Sequence, residues 1–85
     1  MPELLVSDHF LAGLEQLTSD LQKQTLRKLE LLANNPRHPS LNAHQLHGAS
    51  GKWECYITMS HRLIYEPVGE ELRLWYVGAH KIVDR

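Results

Sequence analysis

The chain has 85 residues, which is enough for one domain with a single hydrophobic core and too few for a two-domain enzyme. Apolar residues make up 42% of the sequence and charged residues 22%, and this ordinary globular usage excludes a disordered or fibrous chain. Nine Lys and Arg against ten Asp and Glu give a net charge of −1, which argues against binding of nucleic acid by bulk positive charge. The six histidines can add positive charge beside a phosphate, because imidazole titrates near neutrality.

The cellular location is indicated by what the sequence lacks. Cys55 is the only cysteine, so the chain has no internal disulfide and no cysteine pair for a structural zinc site. No apolar run is long enough to span a membrane, and the first residues do not form a basic segment followed by an apolar stretch. We therefore expect a soluble cytoplasmic protein that is complete from Met1, forms one domain over residues 1–85 and has no membrane partner.

The first 35 residues predict a short strand followed by two helices. Leu4-Leu5-Val6 is an apolar run that ends at Ser7 and Asp8, which favour turns and helix N-caps. Two apolar stripes at helical spacing follow, and Thr18-Ser19-Asp20 separates them with residues that begin helices. The second helix is expected to end at Asn34-Asn35-Pro36, since a residue before proline avoids the α region. The stripes consist of Phe10, Leu11, Leu14 and Leu17, and of Leu21, Leu26, Leu29, Leu32 and Ala33.

The remaining residues predict a loop and three strands. Residues 36–52 contain prolines, glycines, serines and histidines without a sustained period, which is typical of one long loop. Apolar and polar residues alternate over 53–59, which predicts a strand. A turn at Ser60-His61 leads to a return strand over 62–66. A second turn at 67–70 leads to a last strand over 72–77, which ends at Gly78. Helices first and a meander of strands afterwards indicate an α+β fold in the order β-α-α-β-β-β, with the helical hairpin on one face of a mainly antiparallel sheet.

Strand alternation predicts which side chains face the helices and which face away from them. Tyr56 and Arg62 are both outward and are expected to be neighbours across the hairpin, on an open face of the sheet. His80 follows the last strand, where a side chain can lean over that face. The inward set is Trp53, Cys55, Ile57, Met59, Leu63, Tyr65, Leu72, Leu74 and Tyr76, and the outward set is Glu54, Tyr56, Thr58, Arg62, Ile64, Glu66, Arg73, Trp75 and Val77.

The outward residues suggest a site of Arg62, His80 and Tyr56, with His44 and His47 arriving from the long loop. A cation, imidazoles and a hydroxyl suit a phosphodiester. In RNA cleavage a base activates the 2′-hydroxyl, a cation stabilises the charge on the phosphorane oxygens, and an acid protonates the leaving 5′-oxygen. Histidine serves either proton role near neutrality, and the reaction needs no metal ion.

Four of these outward or packed residues also have plain structural interpretations. Arg62 at the start of a strand can be a solvated charge, and His80 can be an ordinary surface histidine. Trp75 either stacks a base or is covered by a partner. Cys55 on the packed face is expected to be unreactive, because reactive thiolates need exposure and a cationic neighbour.

The same residues resemble the RelE/ParE superfamily of type II toxins, and most closely its YoeB and YafQ branches. The resemblance covers essentially the whole chain and rests on landmarks that occur in the family's order. The strand H-R-L-I-Y after a tryptophan, combined with a histidine just past the last strand, is fairly specific. The landmarks are Asn35-Pro36, His44-Gln45-Leu46-His47-Gly48, Trp53 through Ile57, His61-Arg62-Leu63-Ile64-Tyr65 and Gly78-Ala79-His80.

The resemblance implies a RelE-like toxin of a type II toxin-antitoxin system. Such a toxin is a cytoplasmic mRNA endoribonuclease (mRNA interferase) that depends on the ribosome, inhibits translation and is neutralised by a cognate antitoxin encoded beside it. Arg62 matches the phosphate-stabilising arginine, His80 the catalytic histidine of YoeB and YafQ, and His44 a functional loop histidine of YafQ. The implied catalytic set is Arg62, His80, His44 and Tyr56, acting on mRNA on the ribosome without a metal ion or small-molecule cofactor. RNA binding is expected from Lys52, His47, His61, Lys81 and Arg85.

Four positions differ from the family pattern. Tyr56 stands where YoeB has a second active-site arginine and YafQ a histidine, and Ser40 lies roughly where YoeB has a loop glutamate. Ser60 replaces an aspartate of YafQ, and Lys81 replaces the aromatic residue that follows the terminal histidine. The chain therefore has fewer active-site cations than the pattern, and the basic residues expected to bind RNA supply positive charge from other positions.

Two other functions stay open. The charge of −1 and the small number of active-site cations also fit a non-catalytic or ParE-like member of the fold, which acts by binding an antitoxin or gyrase. A metal-dependent hydrolase would use His38, His44 and His47. Zinc sites normally add cysteine or carboxylate ligands at tight spacing, so we predict no metal site.

Overall fold

A computed structural model describes residues 2–80 of the protein. Two helices precede most of the strands in this range, and a short 3-10 helix lies between the second helix and the sheet. No helix of the described residues is long and apolar enough to cross a membrane. The elements are β1 (Glu3–Val6), α1 (Asp8–Gln16), α2 (Ser19–Asn34), the 3-10 helix Pro39–Leu41, β2 (His44–Gln45), β3 (Trp53–Thr58), β4 (His61–Val68) and β5 (Glu71–Ala79).

The predicted helix ends are confirmed by their caps. Ser7 Oγ accepts a hydrogen bond from Phe10 N at 3.0 Å, and Thr18 Oγ1 accepts one from Leu21 N at 3.2 Å. These side chains satisfy N–H groups that the first turn of each helix leaves without a partner. The second helix ends at Asn34, directly before the Asn35-Pro36 pair.

The strands within residues 2–80 form one sheet in the order β1-β5-β4-β3-β2. β1 pairs parallel to β5, and the other neighbours pair antiparallel, so the predicted α+β architecture with a mainly antiparallel sheet is confirmed. One face of the sheet packs against the helices, and the other is open. The core between them consists of Phe10, Leu29, Leu32, Leu41, Cys55, Ile57, Leu63, Tyr65, Leu72, Leu74 and Val77.

The segment predicted as one long loop, residues 36–52, contains a 3-10 helix and a short strand. Leu41 is buried at the end of the 3-10 helix, and Asn42 takes a left-handed conformation with φ 49°, which turns the chain toward the sheet. His44 and Gln45 then pair with Glu54 and Trp53 as β2. A two-residue strand is too short to show alternation, so the sequence pattern missed it.

Both predicted turns are displaced. The first turn ends at Ser60, and His61 already belongs to β4, where it pairs with Ala79. β4 also continues through Pro67 to Val68, so the second turn is only Gly69-Glu70, with Gly69 at φ +60°. Proline is tolerated in this strand because β3 begins opposite Tyr65 and leaves β4 without a neighbour on that side at Pro67.

A β-bulge in β5 reverses the predicted alternation near the end of the sheet. Tyr65 pairs with Leu74 and Ile64 pairs with Tyr76, so Trp75 has no partner. Val77, predicted outward, is therefore buried, and Tyr76, predicted inward, is only half-buried. The β3 pattern fails at its end as well, since Met59 lies in the turn and is 80% exposed.

Candidate active site on the open face of the sheet

A cluster of polar and aromatic side chains lies on the open face, where β2, β3 and β4 are adjacent. Tyr56 pairs with Arg62 across β3 and β4, as the strand alternation predicted. His44 pairs with Glu54 across β2 and β3, which brings the loop histidine beside the same two strands. We call Glu54, Tyr56, Arg62 and His44 the open-face cluster.

Arg62 is buried, with 6% of its surface exposed, and this overturns the expectation of an open cation. Its Nη1 donates to the carbonyl oxygens of Thr58 at 2.8 Å, Met59 at 2.9 Å and His61 at 3.2 Å. The turn between β3 and β4 directs these carbonyls inward, and the guanidinium satisfies them. Arg62 therefore holds the turn together in addition to any role toward a ligand.

The rest of the Arg62 guanidinium faces an aromatic ring and a carboxylate. Its Cζ lies 3.6 Å from the centroid of the Tyr56 ring, a cation–π contact. Nε is buried without a hydrogen-bond partner among residues 2–80, and its distance to Glu54 Oε1 is 4.0 Å. The guanidinium thus keeps unused donor capacity on the side of Glu54.

Glu54 is the central residue of the cluster, although no sequence motif pointed to it. It is 9% exposed, and its Oε1 lies 3.0 Å from His44 Nε2. A buried carboxylate needs compensating partners, and the His44 ring and the Arg62 guanidinium lie beside it on the two flanking strands. The sequence did show that Glu54 is outward and two residues before Tyr56. Its contact with His44 could not be predicted, because that contact depends on β2, which the sequence pattern missed.

His44 has both ring nitrogens close to oxygen atoms. Its Nδ1 lies 3.1 Å from the carbonyl oxygen of Asn42, and its ring stands edge-on to Tyr56 at a centroid distance of 6.5 Å. A carbonyl oxygen only accepts, so Nδ1 is the donor to Asn42, and Nε2 faces the Glu54 carboxylate. The structure places the His44 ring beside Tyr56, and Glu54 lies between His44 and Arg62.

His80 lies at the edge of the cluster, beside the β3–β4 turn. Its backbone N–H donates to the carbonyl oxygen of Ser60 at 2.7 Å, and its side chain is exposed. Gly78 pairs with Arg62, so alternation from Gly78 places residue 80 on the same face as Arg62.

His61 is half-buried, with Nδ1 3.1 Å from Thr58 Oγ1.

The residues predicted to bind RNA lie farther from the cluster. Lys52 Nζ lies 4.8 Å from the centroid of the Trp75 ring, and Trp75 Nε1 donates to Glu66 Oε1 at 3.0 Å. His47 is exposed in the connection between β2 and β3. Lys81 and Arg85 lie outside the residues that the structure describes.

A groove of about 430 Å³ opens between α1 and the ends of β4 and β5. His9 of α1 stacks on Tyr76 at a centroid distance of 5.4 Å and an interplanar angle of 29°. His61 and Gly78 also line the groove, and they flank Arg62 in sequence and in register. The groove thus presents aromatic surface that the sequence pattern did not indicate, and none of the four residues of the open-face cluster lines it.

Neither a metal site nor a reactive thiol is found in the described part of the chain. Among residues 2–80, no group of three or more His, Cys, Asp or Glu is arranged to hold a metal ion. Burial raises the pKa of the Cys55 thiol to about 12, against a smaller lowering by Lys28 and with a still smaller increase from Glu54. Cys55 is therefore a protonated core residue, as predicted.

Comparisons with known proteins identify the fold. No protein-family model matches the chain, and no curated protein matches it in sequence. YafQ from E. coli strain BL21(DE3) is 19% identical with a TM-score of 0.80, and the match covers 94% of each chain. The YoeB/ParE toxin from Agrobacterium tumefaciens is 18% identical with a TM-score of 0.79, covering 93% of this chain and 99% of that one. A chain of the intact E. coli RelBE toxin-antitoxin complex is 20% identical with a TM-score of 0.75, covering 95% and 99%.

At these identities the likeness shows the fold. The chain has the α+β fold of the toxins YafQ, YoeB and RelE, over nearly its whole length. The fold relationship that the sequence motifs indicated is therefore confirmed. Site residues and activity are a separate matter, because function resides in particular side chains and not in the fold.

Proposed function

We propose that the protein is the toxin of a type II toxin-antitoxin system and acts as a ribosome-dependent mRNA endoribonuclease in the cytoplasm. The fold shared with YafQ and YoeB supports this proposal, and so do the motifs that carry the resemblance. The reaction is attack of the 2′-hydroxyl on the adjacent phosphate, without a metal ion.

The observation that carries the proposal is the juxtaposition of a guanidinium, imidazoles and a phenol on one open face. Arg62 stabilises the charge that gathers on the phosphorane oxygens, and Tyr56 and His44 orient the substrate. His80 lies at the edge of this cluster and exchanges a proton with the reacting oxygens. The RNA backbone is contacted by basic and histidine side chains around this cluster, namely Lys52, His47, His61, Lys81 and Arg85.

A cognate antitoxin is the expected protein partner. The E. coli RelBE structure is a toxin-antitoxin complex, and so is the E. coli DinJ-YafQ structure. By analogy, we propose that an antitoxin binds along the open face and covers Arg62. The adjacent reading frame is then expected to encode a small acidic protein.

Induced expression in a bacterial host tests the proposal. The parent protein is expected to arrest growth and to leave mRNA cut at ribosome-bound sites, and His80→Ala is expected to do neither. His38→Ala is the matched histidine control, because His38 lies outside the cluster and is expected to remain toxic. Arrest by His80→Ala equal to the parent, or no arrest by the parent, contradicts the catalytic role.

A second candidate is a non-catalytic or ParE-like protein that acts by binding an antitoxin or gyrase. The observation that favours it is the burial of Arg62, whose Nη1 is already engaged by three carbonyl oxygens. This candidate predicts growth arrest that survives His80→Ala, with DNA-damage signalling and intact mRNA.

A further inference from the structure

We propose that Glu54 is the general base of the cleavage reaction, and that His44 is a positioning residue that keeps Glu54 oriented. Both assignments rest on the proposed function. They add a carboxylate that the motifs do not indicate, and they change the role of the loop histidine from direct contact with substrate to support of Glu54.

His44 is badly placed to accept a proton from a substrate. Its Nδ1 lies 3.1 Å from the Asn42 carbonyl oxygen, and its Nε2 lies 3.0 Å from Glu54 Oε1. Both neighbours are oxygen acceptors, so both ring nitrogens are engaged within the protein. A general base needs a free lone pair within reach of the substrate hydroxyl, and neither engaged nitrogen of His44 offers one.

Glu54 has the required lone pair and position. His44 and Arg62 both approach its Oε1, at 3.0 and 4.0 Å. Within residues 2–80 the second oxygen, Oε2, accepts no hydrogen bond, and Arg62 Nε is the only buried polar side-chain atom left unpartnered. Oε2 therefore keeps some contact with solvent.

The groups that flank Glu54 hold one of its oxygens in place. His44 approaches Oε1 from β2, and Arg62 Nε approaches it from β4. Cys55, the next residue of β3, is buried on the opposite face among the core residues. The carboxylate is therefore anchored through Oε1, which leaves Oε2 as the oxygen proposed to take the proton.

The proposed step moves two protons and exchanges one bond at phosphorus. The 2′-O–H bond breaks and its proton goes to a Glu54 carboxylate oxygen, while the 2′-oxygen forms a bond to phosphorus. The P–O5′ bond breaks with its electron pair on the 5′-oxygen, which takes a proton from His80. The products are a 2′,3′-cyclic phosphate and a 5′-hydroxyl, and solvent returns the two side chains to their starting forms.

Cleavage of a short mRNA on programmed ribosomes, measured against pH under single-turnover conditions, tests the assignment. Glu54→Gln keeps the size of the side chain and is expected to lower the cleavage rate constant about 100-fold or more, with little change in KM. The variant is also expected to lose the acidic limb of the pH profile, on which the rate rises as the base ionises. Glu54→Asp is expected to restore part of the rate.

Further variants separate catalysis from folding. Glu66→Gln is the matched control, since Glu66 is also outward and a glutamine oxygen still accepts from Trp75 Nε1; its rate is expected to stay within about threefold of the parent. His44→Gln keeps a side-chain donor for Glu54 and His44→Ala removes it, so we expect the rate constant to fall further in His44→Ala, with little change in KM. Where Glu54→Gln does not fold, a folded Glu54→Asp that keeps the full parent rate overturns the assignment.

The outcomes distinguish the two proposals. If the parent does not cut ribosome-bound mRNA, the proposed function fails and the base assignment fails with it. If the parent cuts and folded Glu54→Gln keeps its rate or its acidic limb, the endoribonuclease stands and Glu54 is not the base. Equal rate constants for the parent, His44→Gln and His44→Ala would overturn the positioning role of His44.

Discussion

Arg62 shows how one side chain can have a structural and a functional task at the same site. Its Nη1 closes the β3–β4 turn through the carbonyl oxygens of Thr58, Met59 and His61, while its Nε faces Glu54. Loss of activity in an Arg62 variant therefore does not by itself identify a phosphate contact. For this reason His80, whose side chain is exposed, gives the cleaner test of catalysis.

The structural task predicts a large difference between two arginines. Arg62→Ala is expected to lower the free energy of unfolding by about 2 kcal/mol or more, because buried carbonyls lose a donor and Glu54 loses a cation. Arg73→Ala is the matched control, since Arg73 is largely exposed and its pair with Glu71 is a surface contact worth less than about 1 kcal/mol. Urea unfolding followed by circular dichroism measures both, and equal losses would contradict the structural role.

At the scale of secondary-structure elements, features that follow from a regular hydrophobic period could be predicted from the sequence, and local irregularities could not. Residue chemistry predicted the helix caps at Ser7 and Thr18 and the helix end before Pro36. Strand alternation predicted that Cys55 and Leu63 are buried. The bulge at Trp75 does not, because an extra residue in a strand has no composition signal.

The same contrast explains what was predicted of the site. Alternation placed Tyr56 beside Arg62, since both positions belong to long regular strands. It could not reveal that Arg62 is buried, because the turn carbonyls that surround it depend on the turn's conformation. It also could not select Glu54, whose partner His44 is brought in by a strand of two residues.

The contact between α1 and β5 gives a prediction at Gly13. A Cβ at this position would overlap the carbonyl oxygen of Val77, so the helix would have to move away from the strand. Gly→Ala in a helix ordinarily stabilises by about 1 kcal/mol, and here the sign is expected to reverse. Thermal unfolding of Gly13→Ala checks this.

Ala12→Gly is the control for that substitution, because Ala12 is the exposed neighbour in the same helix. It changes the helix propensity by a similar amount in the opposite direction and meets no strand. It is expected to cost about 1 kcal/mol from propensity alone. A Gly13→Ala protein more stable than the parent would show that α1 does not approach β5 this closely.

At the scale of the whole molecule, the buried core predicts loss of stability at alkaline pH. Burial raises the pKa of Cys55 from 9.0 to about 12 and that of Tyr65 from 10.0 to about 12. The unfolded chain releases these protons at lower pH than the folded one, so the stabilisation is complete below pH 9 and is lost as the pH rises toward 12. Each group contributes a loss of about 1.4 kcal/mol per pH unit over its own interval.

Urea unfolding at a series of pH values between 8 and 11 measures this loss. Cys55→Ala removes one of the two groups, so its stability is expected to fall less steeply above pH 9, even though the smaller side chain lowers stability at every pH. The comparison of slopes is independent of that offset. Equal slopes in parent and variant would mean that the Cys55 thiol ionises as readily in the folded protein as in the unfolded chain.

The charge distribution of the molecule predicts how it meets RNA. Residues 1–35 contain three Lys and Arg against five Asp and Glu, whereas residues 36–85 contain six against five and five of the six histidines. Positive charge is thus concentrated in the part that forms the open face, but the net charge of −1 leaves little long-range attraction for a polyanion. We expect weak binding of free RNA that falls steeply with salt.

On this basis the ribosome supplies the positioning that the protein's own charge does not. Fluorescence anisotropy with a short single-stranded RNA, at several salt concentrations, is expected to show only weak binding at physiological ionic strength. The same RNA sequence presented on a programmed ribosome is expected to be cut. Lys52→Gln removes one cation from the part of the chain that forms the open face, so it is expected to reduce the salt dependence of RNA binding by about one counterion. Lys23→Gln, on α2, is expected to leave the salt dependence unchanged. Tight binding of free RNA at physiological salt would contradict this dependence on the ribosome.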